Sequence, residues 1–369
     1  MFYKTYPTRL GLAIKRRQML ELSRWAISPF LLANTCALLP SQAQASTTTG
    51  KSDMKPIKAK RLRAGNTLGL VAPSHAIHER MPFDIATDTL QAMGFRVKEG
   101  AHLRARRGHH AGSDQQRAAD INALFADPEV DGILAITGGS GANRILPLLD
   151  YELIQKNPKF FGGFSDITAL INAIYARTGL ITFHAPAGVS EWNLFSQQQF
   201  RSVVQEALPW TMRNPKDTAD LPAPREFRIQ TLRPGRARGH LIGGNLAVLS
   251  SMAGSGFLPS FEAAILFIED TNEYIYRVDR MLSTLMLSGA LDRLAGVVIG
   301  AFTQCTPGEG FGRSTLDEVF DDYFLKRSYP VFRGAAIGHI RQKFTVPIGA
   351  QAEIDASEGT IRLLEPAVL

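Results

Sequence analysis

Phe160-Phe161-Gly162-Gly163-Phe164-Ser165-Asp166-Ile167-Thr168-Ala169-Leu170 is where a short apolar run hands over to a helical pattern. Ile167, Leu170, Ile171 and Ile174 recur at helical spacing, and Gly179 supplies the stop. A glycine two residues before a serine, on a sharp strand-to-helix turn, is half of a nucleophile elbow, a turn that lifts the hydroxyl out of the sheet. The glycine two residues after the serine is missing. The spacing alone therefore leaves two readings of Ser165, a nucleophile or a helix N-cap, with Asp166 suited to the positive helix end in either case.

Outward from this turn the pattern repeats. Toward the N-terminus, strands are expected at 67–72, 95–98, 132–137 and 160–162, with helices at 83–93, 115–125 and 146–149 between them. Ser113-Asp114-Gln115-Gln116 fits a capping box that opens the second of these helices, and Asp127-Pro128 closes it. Such alternation predicts an α/β fold with a parallel sheet covered by helices on both faces. After Thr182-Phe183-His184, residues 209–234 are rich in proline, charge and turn formers. A second domain then restarts at 239–249, with strands at 263–268 and 296–301, a helix at 274–287 stopped by Gly289, and a strand-rich end over 331–364. The expected divisions are 1–45, 46–61 as a flexible lead, 62–190, 191–235 as a linker region, and 236–369.

The chain has 369 residues, 45% hydrophobic and 20% charged, which suits two domains with sizeable cores. Of its formal +7, residues 1–45 hold six Lys or Arg against Glu21 alone, leaving the rest at +2. A near-neutral body with no basic stripe speaks against a nucleic-acid partner. The front has the three parts of an export signal: a basic lead to Arg24, an apolar stretch over 25–40, and Ala43-Gln44-Ala45 before Ser46. Lys15-Arg16-Arg17-Gln18-Met19-Leu20 resembles a twin-arginine signal, with an ordinary secretory signal as the other reading. Either one predicts a periplasmic protein. The sixteen-residue apolar stretch is broken by Pro29, short of the roughly 20 residues needed to span a bilayer, so no stable membrane anchor is expected. Cleavage would remove Cys36 and leave Cys305 as a single thiol with no internal disulfide.

Candidate chemistry outside the turn is scattered. Gly138-Gly139-Ser140-Gly141 follows a buried strand, where bare backbone N–H groups can face a ligand; no Gly-Lys-Ser/Thr follows, which excludes a Walker loop. Glu269-Asp270 and Gly338-His339 each stand at the exit of an apolar run. The pairs His75/His78 and His109/His110 lack a Cys or acid at zinc spacing, and no His-Glu-x-x-His occurs, so neither metal nor cofactor is expected.

Taken in order, these stretches resemble the LD-carboxypeptidases. The blocks are Gly65-Asn66-Thr67 with Ala72-Pro73-Ser74, the glycine loop with Leu146-Pro147-Leu148-Leu149-Asp150, the turn at Ser165, Thr182-Phe183-His184-Ala185-Pro186, Gly243-Gly244-Asn245-Leu246, Phe267-Ile268-Glu269-Asp270 with Tyr276-Arg277-Val278-Asp279-Arg280, and Gly338-His339 with Pro347-Ile348-Gly349. The resemblance implies a first domain like class I glutamine amidotransferases and a smaller β-rich C-terminal domain. It implies a Ser165, Glu269 and His339 triad, an oxyanion hole from the N–H groups of Gly139 and Asp166, and release of a terminal D-alanine from a muropeptide. Ser74, Ser140 and Arg144 are the candidate substrate-binding residues. The chain departs from the family at Thr137 (commonly Arg), Ser140 (commonly aromatic) and Ala185 (often Gly), positions that border the substrate and leave the triad intact. Two rivals remain. A related peptidase of the microcin C immunity kind would cleave peptide–nucleotide conjugates, with Trp192 placed to stack on a base. A periplasmic solute-binding protein would share the two domains and export signal but would not need the triad. Oligomeric state stays open, a homodimer being one option.

Overall fold

The computed structural model describes residues 55–216, 223, 226–308 and 312–369; the expected export segment over 1–45 and the lead as far as residue 54 lie outside the described residues. Five of the six strands of the first sheet come in chain order: β1 (Thr67–Val71), β2 (Arg96–Glu99), β3 (Gly132–Ala135), β4 (Phe160–Gly163) and β5 (Thr182–His184). They run parallel in the spatial order β5-β4-β3-β1-β2. β1, β3, β4 and β5 are buried along their whole length, as the apolar runs of a sheet covered on both faces require. Ser113 caps the helix Asp114–Ala126 by accepting the Gln116 N–H, and the reciprocal Gln116 bond completes the capping box. The stretch expected as a helix at 146–149 belongs to a longer 3-10 segment, Ala142–Leu148.

The remaining strands are β6 (Thr211–Met212), β7 (Gln230–Arg233), β8 (Arg236–Asn245), β9 (Ile265–Thr271), β10 (Gly296–Thr303), β11 (Val331–Arg333), β12 (Val346–Ile348), β13 (Gln351–Asp355) and β14 (Thr360–Leu363). All but β12 form one eight-stranded sheet, β6-β14-β13-β8-β9-β10-β11-β7, with a parallel centre from β8 to β11 and antiparallel flanks. The architecture is thus two-domain α/β.

One expectation is corrected here. The first sheet is mixed, not parallel, because β12 returns from the far end of the chain and pairs antiparallel with β5, Val346 opposite His184. That addition covers what would be an exposed sheet edge. The second sheet has more strands than the first, because β6 and β7 close its two edges. Both come from residues read as linker. The same stretch also holds the helix Leu194–Phe200 and a π-helical turn, Arg201–Gln205, which bury Phe200, Val203 and Val204. Phe200 meets Phe160 edge-on at 5.5 Å, and Phe160 stacks on Phe183 at 4.9 Å. Burying each of these rings contributes about 1.5–3 kcal/mol.

One apolar core joins both sheets, running from Leu68 and Phe161 to Phe267, Val298 and Phe332. The helix after Ser165, Thr168–Thr178, is fastened to β8 by polar bonds. Asn172 donates to the Gly243 carbonyl at 2.9 Å, and the Asn245 N–H donates to the Thr168 hydroxyl at 2.9 Å. In register, Asn245 lies opposite Glu269 on β9. The serine turn and the glutamate strand therefore share one anchor.

Candidate active site

Ser165 leaves β4 with φ +62°, a left-handed conformation that costs a residue with a side chain on the order of 1–3 kcal/mol. The turn stays in it because the helix behind is bolted to the second sheet and because neighbouring residues are small. A Cβ on Gly138 would lie 2.7 Å from the Ser165 Cβ; one on Gly139, at φ +121°, would lie 2.3 Å from the His75 Cβ. Asp166 holds the glycine loop from the other side. Its buried carboxylate accepts the Ser74 hydroxyl at 2.5 Å and the Ala142 N–H at 2.8 Å. Arg117, fully buried, donates to the carbonyls of Pro73 and Gly141, at 2.9 Å for the latter, and pairs with Asp114.

Glu269 sits near the end of β9 with no exposure. His339 follows Gly338, whose φ of +119° turns the chain against the Glu269 side chain. His339 Nδ1 is 2.7 Å from Glu269 Oε2, and His339 Nε2 is 2.9 Å from Ser165 Oγ. A carboxylate only accepts, so Nδ1 carries the proton and Nε2 is free to accept from the serine. Three residues far apart in sequence thus form one hydrogen-bonded chain across the two sheets. Gly139, Ser165 and His339 line a cleft of about 510 Å³ together with Thr137, Phe164 and Lys343.

The other expected site residues fall differently. Ser74 is buried and spends its hydroxyl on Asp166, so it supports the loop from beneath and does not line the cleft. Ser140 is exposed and also outside the lining, because the loop turns it to solvent. Arg144 is exposed and bound to Asp114 at 2.8 Å, away from the cleft. Trp192, expected to stack on a base, is buried; its indole donates to the Ala187 carbonyl at 3.1 Å and its ring packs edge-on against Phe200. Cys305 lies outside the cleft with its thiol pushed up by burial. Among the described residues no group of three His, Cys, Asp or Glu could hold a metal.

Sequence reasoning missed three charged residues of the cleft. Glu191 and Arg341 pair at 2.6 Å on its rim. Lys343 is buried, with its ammonium 4.0 Å above the centre of the Phe164 ring. Burial pushes it down to about 8, against the pull of Glu269 and Glu191. Beneath Phe164, His184 is held neutral: burial, then the charge of Lys343, takes it down to about 3. A lysine four residues past a histidine gives no local sign of being buried.

The profile described as LD-carboxypeptidase N-terminal domain matches residues 68–185, and the LD-carboxypeptidase C-terminal domain matches 238–354. The chain belongs to the LD-carboxypeptidase family of serine peptidases. It is 37% identical over 308 residues to the probable murein peptide carboxypeptidase of Bacillus subtilis, covering 82% of this chain and 93% of that one. Among solved structures it is similar to the microcin C7 self-immunity protein MccF in complex with glutamyl sulfamoyl guanosine, with TM-score 0.77 and 27% identity over 85% of this chain and 100% of that one. It is also similar to the muramoyltetrapeptide carboxypeptidase of Oxalobacter formigenes, with TM-score 0.68 and 26% identity over 81% and 98%. No described helix is long and apolar enough to cross a membrane.

Proposed function

We propose that the chain hydrolyses an amide through an acyl-enzyme on Ser165. The observation that carries this is the hydrogen-bonded chain from the Ser165 hydroxyl through His339 to the buried Glu269. His339 takes the hydroxyl proton as Ser165 attacks the carbonyl, and Glu269 fixes the imidazole tautomer and balances its charge. The N–H groups of Gly139 and Asp166 receive the oxyanion, whose loss of one donor typically costs on the order of 100-fold or more. His339 then returns the proton to the leaving nitrogen, and water releases the acyl group by the reverse route. The first domain's five parallel strands in the order β5-β4-β3-β1-β2 support the likeness to class I glutamine amidotransferases.

For the substrate, the closer likeness to MccF than to the muramoyltetrapeptide carboxypeptidase favours an aminoacyl or peptidyl–nucleotide conjugate. The 37% identical murein relative supports the second reading, a peptidoglycan tetrapeptide losing D-alanine, and the burial of Trp192 removes one expected stacking partner from the first. Incubation with glutamyl sulfamoyl guanosine and, separately, with disaccharide tetrapeptide, each followed by mass analysis, decides between them. Ser165→Ala should abolish turnover of whichever is cleaved; turnover by the purified variant would refute the reading. Export to the periplasm is proposed on the pattern of residues 1–45 alone, and N-terminal sequencing of the secreted protein, expected to begin at Ser46, tests it.

A further inference from the structure

We propose that Lys343 selects substrates whose leaving nitrogen carries an anion within one or two bonds, by pairing its ammonium with that anion inside the cleft. The proposal rests on the acyl-enzyme reading and adds a specificity-determining residue to it.

Lys343 is 5% exposed, yet among the described residues no carboxylate lies within ion-pair distance of its ammonium. The two acids that act on it are already engaged: Glu269 holds His339 at 2.7 Å and Glu191 holds Arg341 at 2.6 Å. Among the described residues its close partner is the face of Phe164, a weak substitute for the hydration that the charge has given up. A buried ammonium left in that state is costly unless something that enters the cleft offsets it. The low proton affinity of Lys343 is the same cost seen from the titration side.

The position fixes which part of the substrate it meets. His339 must reach the leaving nitrogen to protonate it, so the leaving group occupies the His339 side of the cleft. Lys343 lies on that side: it rests on the Phe164 ring, whose centre is 5.0 Å from that of His339. Arg341 is a poorer candidate, since its side chain is 81% exposed and tied to Glu191. Both substrate readings place an anion where Lys343 can meet it. A terminal D-alanine has its carboxylate one carbon from the scissile nitrogen, and an acyl sulfamate is ionised at that nitrogen, with the charge shared by the sulfonyl oxygens two bonds away. A compact ammonium on a flexible stem tolerates either geometry, where a guanidinium fork would favour one. An uncharged leaving group would keep the ammonium desolvated and unpaired, which rejects it.

The test compares charged with neutral leaving groups. One arm uses an N-acetylated peptide ending in L-Lys-D-Ala and the same peptide ending in D-alaninamide; the other uses glutamyl sulfamoyl adenosine and glutamyl 5′-amino-5′-deoxyadenosine. The arm that wild type cleaves identifies the source of the anion. Wild type should prefer the charged member in kcat/KM by on the order of 100-fold, and Lys343→Met should bring the ratio close to one. Lys343→Arg should retain part of the preference. The melting temperature of Lys343→Met should not fall, since a buried unpaired charge is replaced by an apolar chain of similar length. Lys343→Gln serves the same comparison should the Met variant fail to fold. An unchanged ratio, or equal slowing of both members, would overturn the proposal. If wild type cleaves neither pair and a fluorophosphonate does not label Ser165, the acyl-enzyme reading itself fails and takes the proposal with it.

Discussion

Gly138 faces the nucleophile, and replacing it with alanine isolates how tightly the site is built. Its backbone is not in the left-handed region, so alanine is conformationally acceptable and the whole effect comes from the added methyl. That methyl would lie 2.7 Å from the Ser165 Cβ, 3.0 Å from its Oγ and 3.3 Å from the Phe164 carbonyl. Carbon atoms pack at about 3.5–4.0 Å, so relief requires a movement of roughly 1 Å. Ser165 cannot swing freely, because its turn is fixed at φ +62° and the helix behind it is anchored to β8. Moving Ser165 by that amount breaks its 2.9 Å contact with His339. A misplacement of about 1 Å at reacting groups costs on the order of 100-fold in rate, or about 2.7 kcal/mol. The strain of the extra methyl should also cost about 1–3 kcal/mol of stability. The assay is kcat for purified Gly138→Ala on the substrate that wild type cleaves, beside a urea denaturation curve. A variant with wild-type kcat and an unshifted midpoint would refute the reasoning, since it would mean that Ser165 is not held against this loop.

Glu269→Gln keeps the volume but offers His339 an amide, which can hold the wrong imidazole tautomer; kcat should fall about 10³- to 10⁴-fold, measured by initial rates with the melting curve as control. Because burial holds Lys343 near 8, its ammonium is present below that pH and lost above it, even with Glu269 and Glu191 facing it and His339 and Arg341 close by. The kcat/KM for an anionic substrate should therefore decline as pH rises through about 8, and Lys343→Arg, which stays charged, should remove that decline. Arg117→Met would leave the buried carbonyls of Pro73 and Gly141 without their donor, at a cost of about 2–4 kcal/mol in chemical denaturation and with a lowered kcat as the glycine loop loosens.

Local chemistry made part of this molecule readable before any coordinates. The Ser113 and Gln116 capping box forms as expected, because both partners lie within one helical turn. The strand-to-helix turn at Ser165 was visible from Gly163 and the helical spacing of Ile167, Leu170 and Ile174, although spacing could not tell nucleophile from cap. What was not legible depends on partners distant in sequence. The antiparallel return of β12 onto β5 joins residues more than 160 positions apart, and neither strand carries a mark of the other. The helix over 194–200 is hidden among polar residues, since its buried Phe200 packs against Phe95 and Phe160, both distant in sequence. Arg144 was a reasonable carboxylate binder by type, but Asp114, thirty residues earlier, occupies it. The convergence of Ser165, Glu269 and His339 came from the family resemblance, because no periodicity links strands of two different sheets.

The central claim is that the Ser165 hydroxyl is the nucleophile and His339 its base. Quenching the reaction early in turnover, digesting the protein and weighing its peptides tests this most directly. The account predicts an acyl mass on the peptide that contains Ser165, with none formed by His339→Ala on the same timescale. An acyl group found on any other residue, or full turnover with Ser165 never modified, would contradict it.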